Sequence, residues 1–414
     1  MFLQFFVAGA ILPIMSLYLI NHLEFSGSQA GIIIGVAAIS SIFSPFFAAC
    51  IADRFLRAEH LLSVCHLLGA VIMFVLTRQT AFFPVLSLYF LYTLITTPTP
   101  ALVNAITFHH SPRSRNKFGN IRVWGTIGWI AVAWAFSFGW LRGADASAPS
   151  RLPDILRFSA FCSIILAIYS LSMPRAKKVV GTTAKRLLPL ESLKVIMKPE
   201  VLALSLLAMC ITFIDKFYVI GTAPFLKQIG FSDQSIMPAM SLGQIPEIFA
   251  MGLLSFFLFR FGVRAVMAFG VLLEIFRFTV FSLTSTRWLV YCSISVHGLA
   301  YTLIFISSII TLDKYCKVNE RTGAHQIFSI ITAGVGGFLG GIAAGKVADL
   351  VTTAQGVINY TFFWAVPAVV AGAIFIGILA FIKEPPTEQE IEVLAAEVAE
   401  AEESIAGTAQ SPNG

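Results

Sequence analysis

The sequence predicts an all-α membrane protein, with twelve transmembrane helices arranged as two six-helix, pseudo-symmetric bundles. Three observations predict it. Composition is the first: 57% of residues are hydrophobic and 12% charged, with a mean hydropathy of +0.83, a balance foreign to soluble globular chains. The second is length, because the apolar runs recur at spans near the ~20 residues that an α-helix needs to cross a bilayer. The short alternating segments of a membrane β-barrel do not occur. The third is charge asymmetry: on one side of the runs lie eighteen lysines and arginines, on the other six. The positive-inside rule then puts both termini in the cytoplasm.

The apolar runs fall at about 2–22, 29–52, 60–77, 82–108, 119–141, 155–173, 200–222, 235–258, 263–283, 288–312, 322–345 and 360–382. A polar, basic segment at 174–198 separates six from six. The expected organisation is a first bundle at 1–173, a cytoplasmic linker at 174–198, a second bundle at 199–383 and an acidic cytoplasmic tail at 384–414. Two six-helix halves joined by a linker is a layout of transporters built from repeats. The tail carries eight glutamates after Lys383 and no lysine or arginine, so it reads as a solvated, disordered segment with a helical tendency near 388–403. Met1 leads at once into Phe2-Leu3-Gln4-Phe5-Phe6 without a basic stretch, so the first run is expected to stay in the membrane.

Several chemistries are disfavoured. Six scattered cysteines lack paired ligand spacing, which argues against a disulfide framework, a metal site or any cofactor. No nucleophile or metal-ligand cluster points to an enzyme. The net charge of +6 follows from topology and does not imply nucleic acid.

Ionisable residues inside the spans carry the functional signal, since a charge at mid-membrane costs roughly 2.5–3.5 kcal/mol on insertion scales. In span eight, Gln244 and Glu247 lie three apart and share a helical face, while Pro246 between them removes a backbone donor. A proton- or substrate-binding site is one reading, and a buried hydrogen bond to a neighbouring helix is the other. In span five, Arg122, Thr126 and Trp129 follow i, i+4, i+7 and form one stripe suited to an aromatic, hydrogen-bonding ligand. Arg122 could instead snorkel to the nearby surface. In span seven, Asp215 and Lys216 are adjacent, so they diverge by about 100° and are not expected to face one point; Lys216 could balance Glu247. His297 and Tyr301 share a face of span ten. Glu274 and Arg277, at i and i+3 in span nine, are expected to neutralise each other. Asp53, Arg54 and Arg57, in the short charged loop after span two, read as a gating latch.

Several of these stretches resemble the nucleoside–proton symporters of the major facilitator superfamily. They are Leu3-Gln4-Phe5-Phe6, the loop from Ala52 to Glu59, Ile121-Arg122-Val123-Trp124-Gly125-Thr126-Ile127-Gly128, the Gln244–Glu247 segment and His297-Gly298. The resemblance implies the superfamily fold, a bacterial inner membrane location and a nucleoside site lined by Arg122, Thr126, Trp129, Gln244, Glu247, His297 and Tyr301, to which Lys216 is added. Two departures are visible: the family's polar amide positions in helix seven fall near Lys216 and Val219, and His297 and Thr302 stand where a tyrosine and, in some members, an acid are usual. The expected activity is proton-coupled nucleoside uptake by alternating access, with Glu247 and Asp215 as proton-coupling groups. The partners are then a small-molecule substrate, protons and the lipid bilayer, and nothing in the sequence requires a second copy. The alternatives are a proton symporter for a sugar or other small polar metabolite and, more remotely, a membrane-embedded enzyme or a non-transporting sensor.

Overall fold

A backbone in lipid must satisfy its own N–H and C=O groups, which makes each apolar run a helix. The computed structural model describes residues 1–54, 57–110, 118–141, 151, 154–173, 190–317 and 320–384, without the side chains of 44–54, 108–110, 118–120, 190 and 191. The spans run Phe2–His22, Gly27–Arg54, Ala58–Leu76, Phe82–Thr107, Ile121–Trp140, Asp154–Leu171, Pro199–Gln228, Arg287–Lys314, Arg321–Leu350 and Tyr360–Phe381. Spans eight and nine together occupy Asp233–Leu283, 51 residues, or about 75 Å at 1.5 Å per residue. That is more than twice the ~30 Å of a hydrocarbon core. Gly262 resolves the excess: its φ of 78° and ψ of 167° lie outside the helical region and turn the chain back. Twelve crossings result among the described residues.

Inside the first half, span one packs on span five, and span three on span six. Inside the second, the span eight–nine pair packs on spans ten and twelve. There a fully buried Trp364 stacks on Phe278 and meets Phe281 and Phe363 edge-on or tilted, an aromatic core behind spans seven and nine. The outer surface is apolar as well. Phe259, for one, is 92% exposed, as expected of a helix apolar all round that faces lipid.

The halves clasp each other along spans two and eleven. A Cβ on Gly31 would stand 2.3 Å from the Gly341 carbonyl oxygen, so backbone rests directly on backbone. The Asp349 carboxylate of span eleven accepts hydrogen bonds from the Gly27 and Ser28 N–H groups at 2.6 and 2.8 Å, capping span two from the opposite half. At the same end, Trp134 Nε1 of span five donates to Ser241 Oγ of span eight at 3.1 Å. This end lies opposite Met1, where span one begins.

Part of the linker is helical, Leu190–Ile196, and Ser192 Oγ donates to the Glu320 carbonyl at 3.1 Å. The Glu384 carboxylate accepts from the Val263 and Arg264 N–H groups at 2.9 and 3.0 Å, restarting span nine after the Gly262 turn. The rest of the linker, at 174–189, and the tail from 385 onward lie outside the described residues.

Candidate functional site

Between the halves lies a cavity of about 450 Å³, within the range of small-molecule sites. Arg122, Thr126, Trp129, Asp215, Lys216, Gln244, Glu247, His297 and Tyr301 all border it. A second cavity of about 440 Å³, near Gln228, Thr284 and Asn359, has no charged side chain in its wall. The ionisable residues single out the first.

Span eight reaches the cavity as a broken helix. One segment ends at Ser241 and another begins at Gln244, with Gly243 between. Pro246 is the third residue of the new segment, where a backbone donor has no helical partner and its absence costs little. Glu247 therefore sits in a first turn, its carboxylate near the positive end of the helix. Span ten crosses at this break: a Cβ on Gly298 would stand 2.1 Å from the Gly243 carbonyl oxygen and 2.7 Å from Glu247 Cβ. Only glycine permits that approach, and the approach brings Glu247 and His297 into one wall. Immediately after Tyr301, the π-helical turn Thr302–Ile306 widens span ten, a distortion common at functional sites.

On the other wall, Arg122 turns inward and does not snorkel outward. Its guanidinium lies over the Phe5 ring at 4.2 Å, a cation–π contact. Its Nη1 is buried without a hydrogen-bond partner among the described residues. An unpaired buried donor is costly, so this atom is available to a ligand. Thr126 is buried, and Trp129 packs so closely on span one that a Cβ at Gly9 would meet its ring at 3.0 Å.

Span seven departs from expectation. Asp215 and Lys216 both border the cavity, because a cavity that wraps part of a helix accepts neighbours diverging by about 100°. Among the described residues Lys216 makes no ion pair with Glu247. Its stem runs beside span eleven, where a Cβ on Gly337 would stand 3.3 Å from Lys216 Cε. Glu274 and Arg277 do pair, both buried, and Arg277 also reaches His297. Of the latch residues, Arg57 is half-buried with extended backbone just before span three. The side chains of Asp53 and Arg54 lie outside those described.

The cavity includes residues not anticipated from sequence, notably Tyr89, Tyr218 and Met240. Tyr218 lies three residues after Asp215, and that shared face was the available signal. No group of three or more His, Cys, Asp or Glu among the described residues could hold a metal ion.

Known proteins agree with this architecture. The chain is 29% identical over 401 residues to the putative nucleoside transporter YegT of Escherichia coli (strain K12), covering 94% of this chain and 93% of that one. It is 27% identical over 409 residues to the nucleoside permease NupG of the same strain, covering 92% and 94%. The crystal structure of nucleoside transporter NupG superposes with a TM-score of 0.81 at 26% identity, over 92% of this chain and 96% of that one. The fold is that of the major facilitator superfamily, and these neighbours are permeases and transporters, not enzymes. The family description "Nucleoside H+ symporter" matches residues 1–387, and the chain belongs to that family.

Proposed function

We propose that the chain carries nucleosides into the cell together with protons, by alternating access of the halves 1–173 and 199–383 around the central cavity. The observation that supports this most is the pairing of unlike walls: an unsatisfied Arg122 donor beside Trp129 and Phe5 on one side, Glu247 with Gln244 and His297 on the other. A nucleobase is a flat, apolar-faced ring edged with hydrogen-bonding atoms. Trp129 stacks on it, and Arg122, Thr126 and Gln244 bond its edge or the ribose hydroxyls.

Glu247 exchanges the proton. Neutralising a carboxylate removes a buried charge from the interface between halves, so the loaded, protonated carrier reorients more readily than the charged one. Asp215 is a second carboxylate on the same wall. Asp53, Arg54 and Arg57 form the gate at the opposite end from the clasp.

The termini and linker are cytoplasmic, on the asymmetry of basic residues, and the similarity to bacterial nucleoside transporters supports the bacterial inner membrane as the location. The clasp of Gly27, Ser28 and Trp134 with Asp349 and Ser241 then lies on the outer side, which closes the described state to the outside. One copy suffices for the cycle.

Purified protein in proteoliposomes, given labelled adenosine and uridine with and without an imposed proton gradient, tests the proposal. Accumulation that needs the gradient and resists competition by a disaccharide is expected. Uptake of the disaccharide in place of either nucleoside would overturn it.

A further inference from the structure

Three buried groups continue the second wall away from the cavity. Arg277 of span nine is fully buried. Its Nη2 donates to Glu274 Oε2, and its Nη1 is hydrogen-bonded to His297 Nδ1. Neither Glu274 nor Arg277 borders the cavity, whereas His297 does. The His297 ring also stacks on Tyr218, centroids 4.4 Å apart and planes 24° apart, and the Arg277 guanidinium lies over that same tyrosine at 4.2 Å.

A guanidinium has five N–H donors and no acceptor. The atom it meets on His297 must therefore offer a lone pair, so Nδ1 is bare and the ring hydrogen resides on Nε2. Flipping the imidazole would turn a C–H toward Arg277 and leave a buried donor unsatisfied; the Tyr218 stack opposes rotation as well. Glu274 in turn holds Arg277 in register and balances its charge. Among the described residues Nε2 has no hydrogen-bond partner, and it belongs to the residue that faces the cavity.

We propose that Glu274 and Arg277 act as positioning residues that lock His297 as an Nε2–H donor, and that this lock makes the wall select a substrate bearing a hydrogen-bond acceptor there. The substrate group facing His297 is then a base carbonyl oxygen or an unprotonated ring nitrogen. This second part rests on the cavity being the nucleoside site. A tyrosine hydroxyl can donate or accept by rotating, whereas the locked imidazole only donates. A site with one fixed polarity rejects a ligand of the wrong polarity far more strongly than a rotatable one does.

Two readouts test this on the full-length protein. First, protein labelled with ¹⁵N-histidine in nanodiscs, without substrate, is compared with Glu274→Gln/Arg277→Met, with Arg277→Lys and with His297→Gln. The last identifies the His297 signals among the seven histidines. A pyridine-like δ1 nitrogen and a pyrrole-like ε2 nitrogen are expected in the parent and in Arg277→Lys, which keeps a donor-only group. In Glu274→Gln/Arg277→Met that pattern is expected to be lost. A pyridine-like ε2 nitrogen in the parent, or an unchanged pattern in the double variant, would overturn the lock.

Second, adenosine and uridine counterflow in the double variant is expected to show KM raised about tenfold with maximal rate within about twofold of the parent, and Arg277→Lys to recover most of the loss. An unchanged KM would overturn the selective role. Should the spectra behave as expected while neither nucleoside is carried by the parent, the lock stands and the nucleoside reading of the cavity fails.

Discussion

The two walls of the cavity divide its chemistry. The wall from the first six spans presents aromatic faces, Phe5, Tyr89 and Trp129, with a single permanent cation at Arg122. The wall from the last six sets three ionisable groups, Asp215, Lys216 and Glu247, beside Gln244 and the donor His297. A wall of rings and one fixed charge grips a ligand in the same way at any pH. A wall of titratable groups responds to protons. Grip and coupling are therefore separable by substitution, and each prediction below either breaks that separation or sharpens it.

The largest effect belongs to the crossing that assembles the second wall. Gly298→Val places its Cβ 2.1 Å from the Gly243 carbonyl oxygen, and backbone there cannot yield as a flexible side chain could. Transport is expected to fall below detection with the protein still inserted, measured by uptake alongside surface labelling; normal uptake would show that spans eight and ten can part without consequence. Next is Arg122→Gln. Loss of charged hydrogen bonds is worth about 1.5–3 kcal/mol, so affinity by competition binding is expected to drop roughly 10- to 100-fold, equally at pH 6 and pH 8. A loss confined to one pH would mean that the first wall takes part in coupling.

Trp129→Ala removes the stacking surface, worth about 1–3 kcal/mol per base, so affinity is expected to fall about tenfold and Trp129→Phe to recover most of it. Equal losses in both variants would point to the indole N–H instead of the ring face. The smallest effect is at the clasp. Asp349→Asn weakens the cap on Gly27 and Ser28 by about 1 kcal/mol, enough to change the balance between outward- and inward-open forms severalfold. Cysteine accessibility at the outer mouth should rise accordingly, while nucleoside affinity at the cavity remains within about twofold.

Much of the fold is legible in sequence because the bilayer imposes its own thickness on every helix. The run lengths, the basic linker and the lysine–arginine asymmetry are direct consequences of that constraint. Residues such as Arg122 and Glu247 stand out because an ionisable group in an apolar run has few tolerable surroundings. What crosses between spans is another matter. The Arg277–His297 contact joins residues 20 positions apart on different helices, and helical periodicity within span nine suggests only the Glu274 partner. The Asp349 cap spans more than 300 residues, from one half to the other. Nor does periodicity reveal that the cavity curves around span seven to meet both Asp215 and Lys216, since the divergence of neighbours says nothing about the width of the space they face. Pro246 hinted at the break in span eight, but the restart at Gln244 depends on how closely span ten approaches Gly243.

The separation of grip from coupling is tested most directly by Glu247→Gln, which keeps the shape and hydrogen-bonding reach of the side chain while removing its exchangeable proton. In proteoliposomes, counterflow of labelled nucleoside at equal pH on both sides should persist, and accumulation driven by a proton gradient should disappear. Gradient-driven accumulation surviving in that variant would contradict the account, because the proton would then travel by a route that does not pass through Glu247.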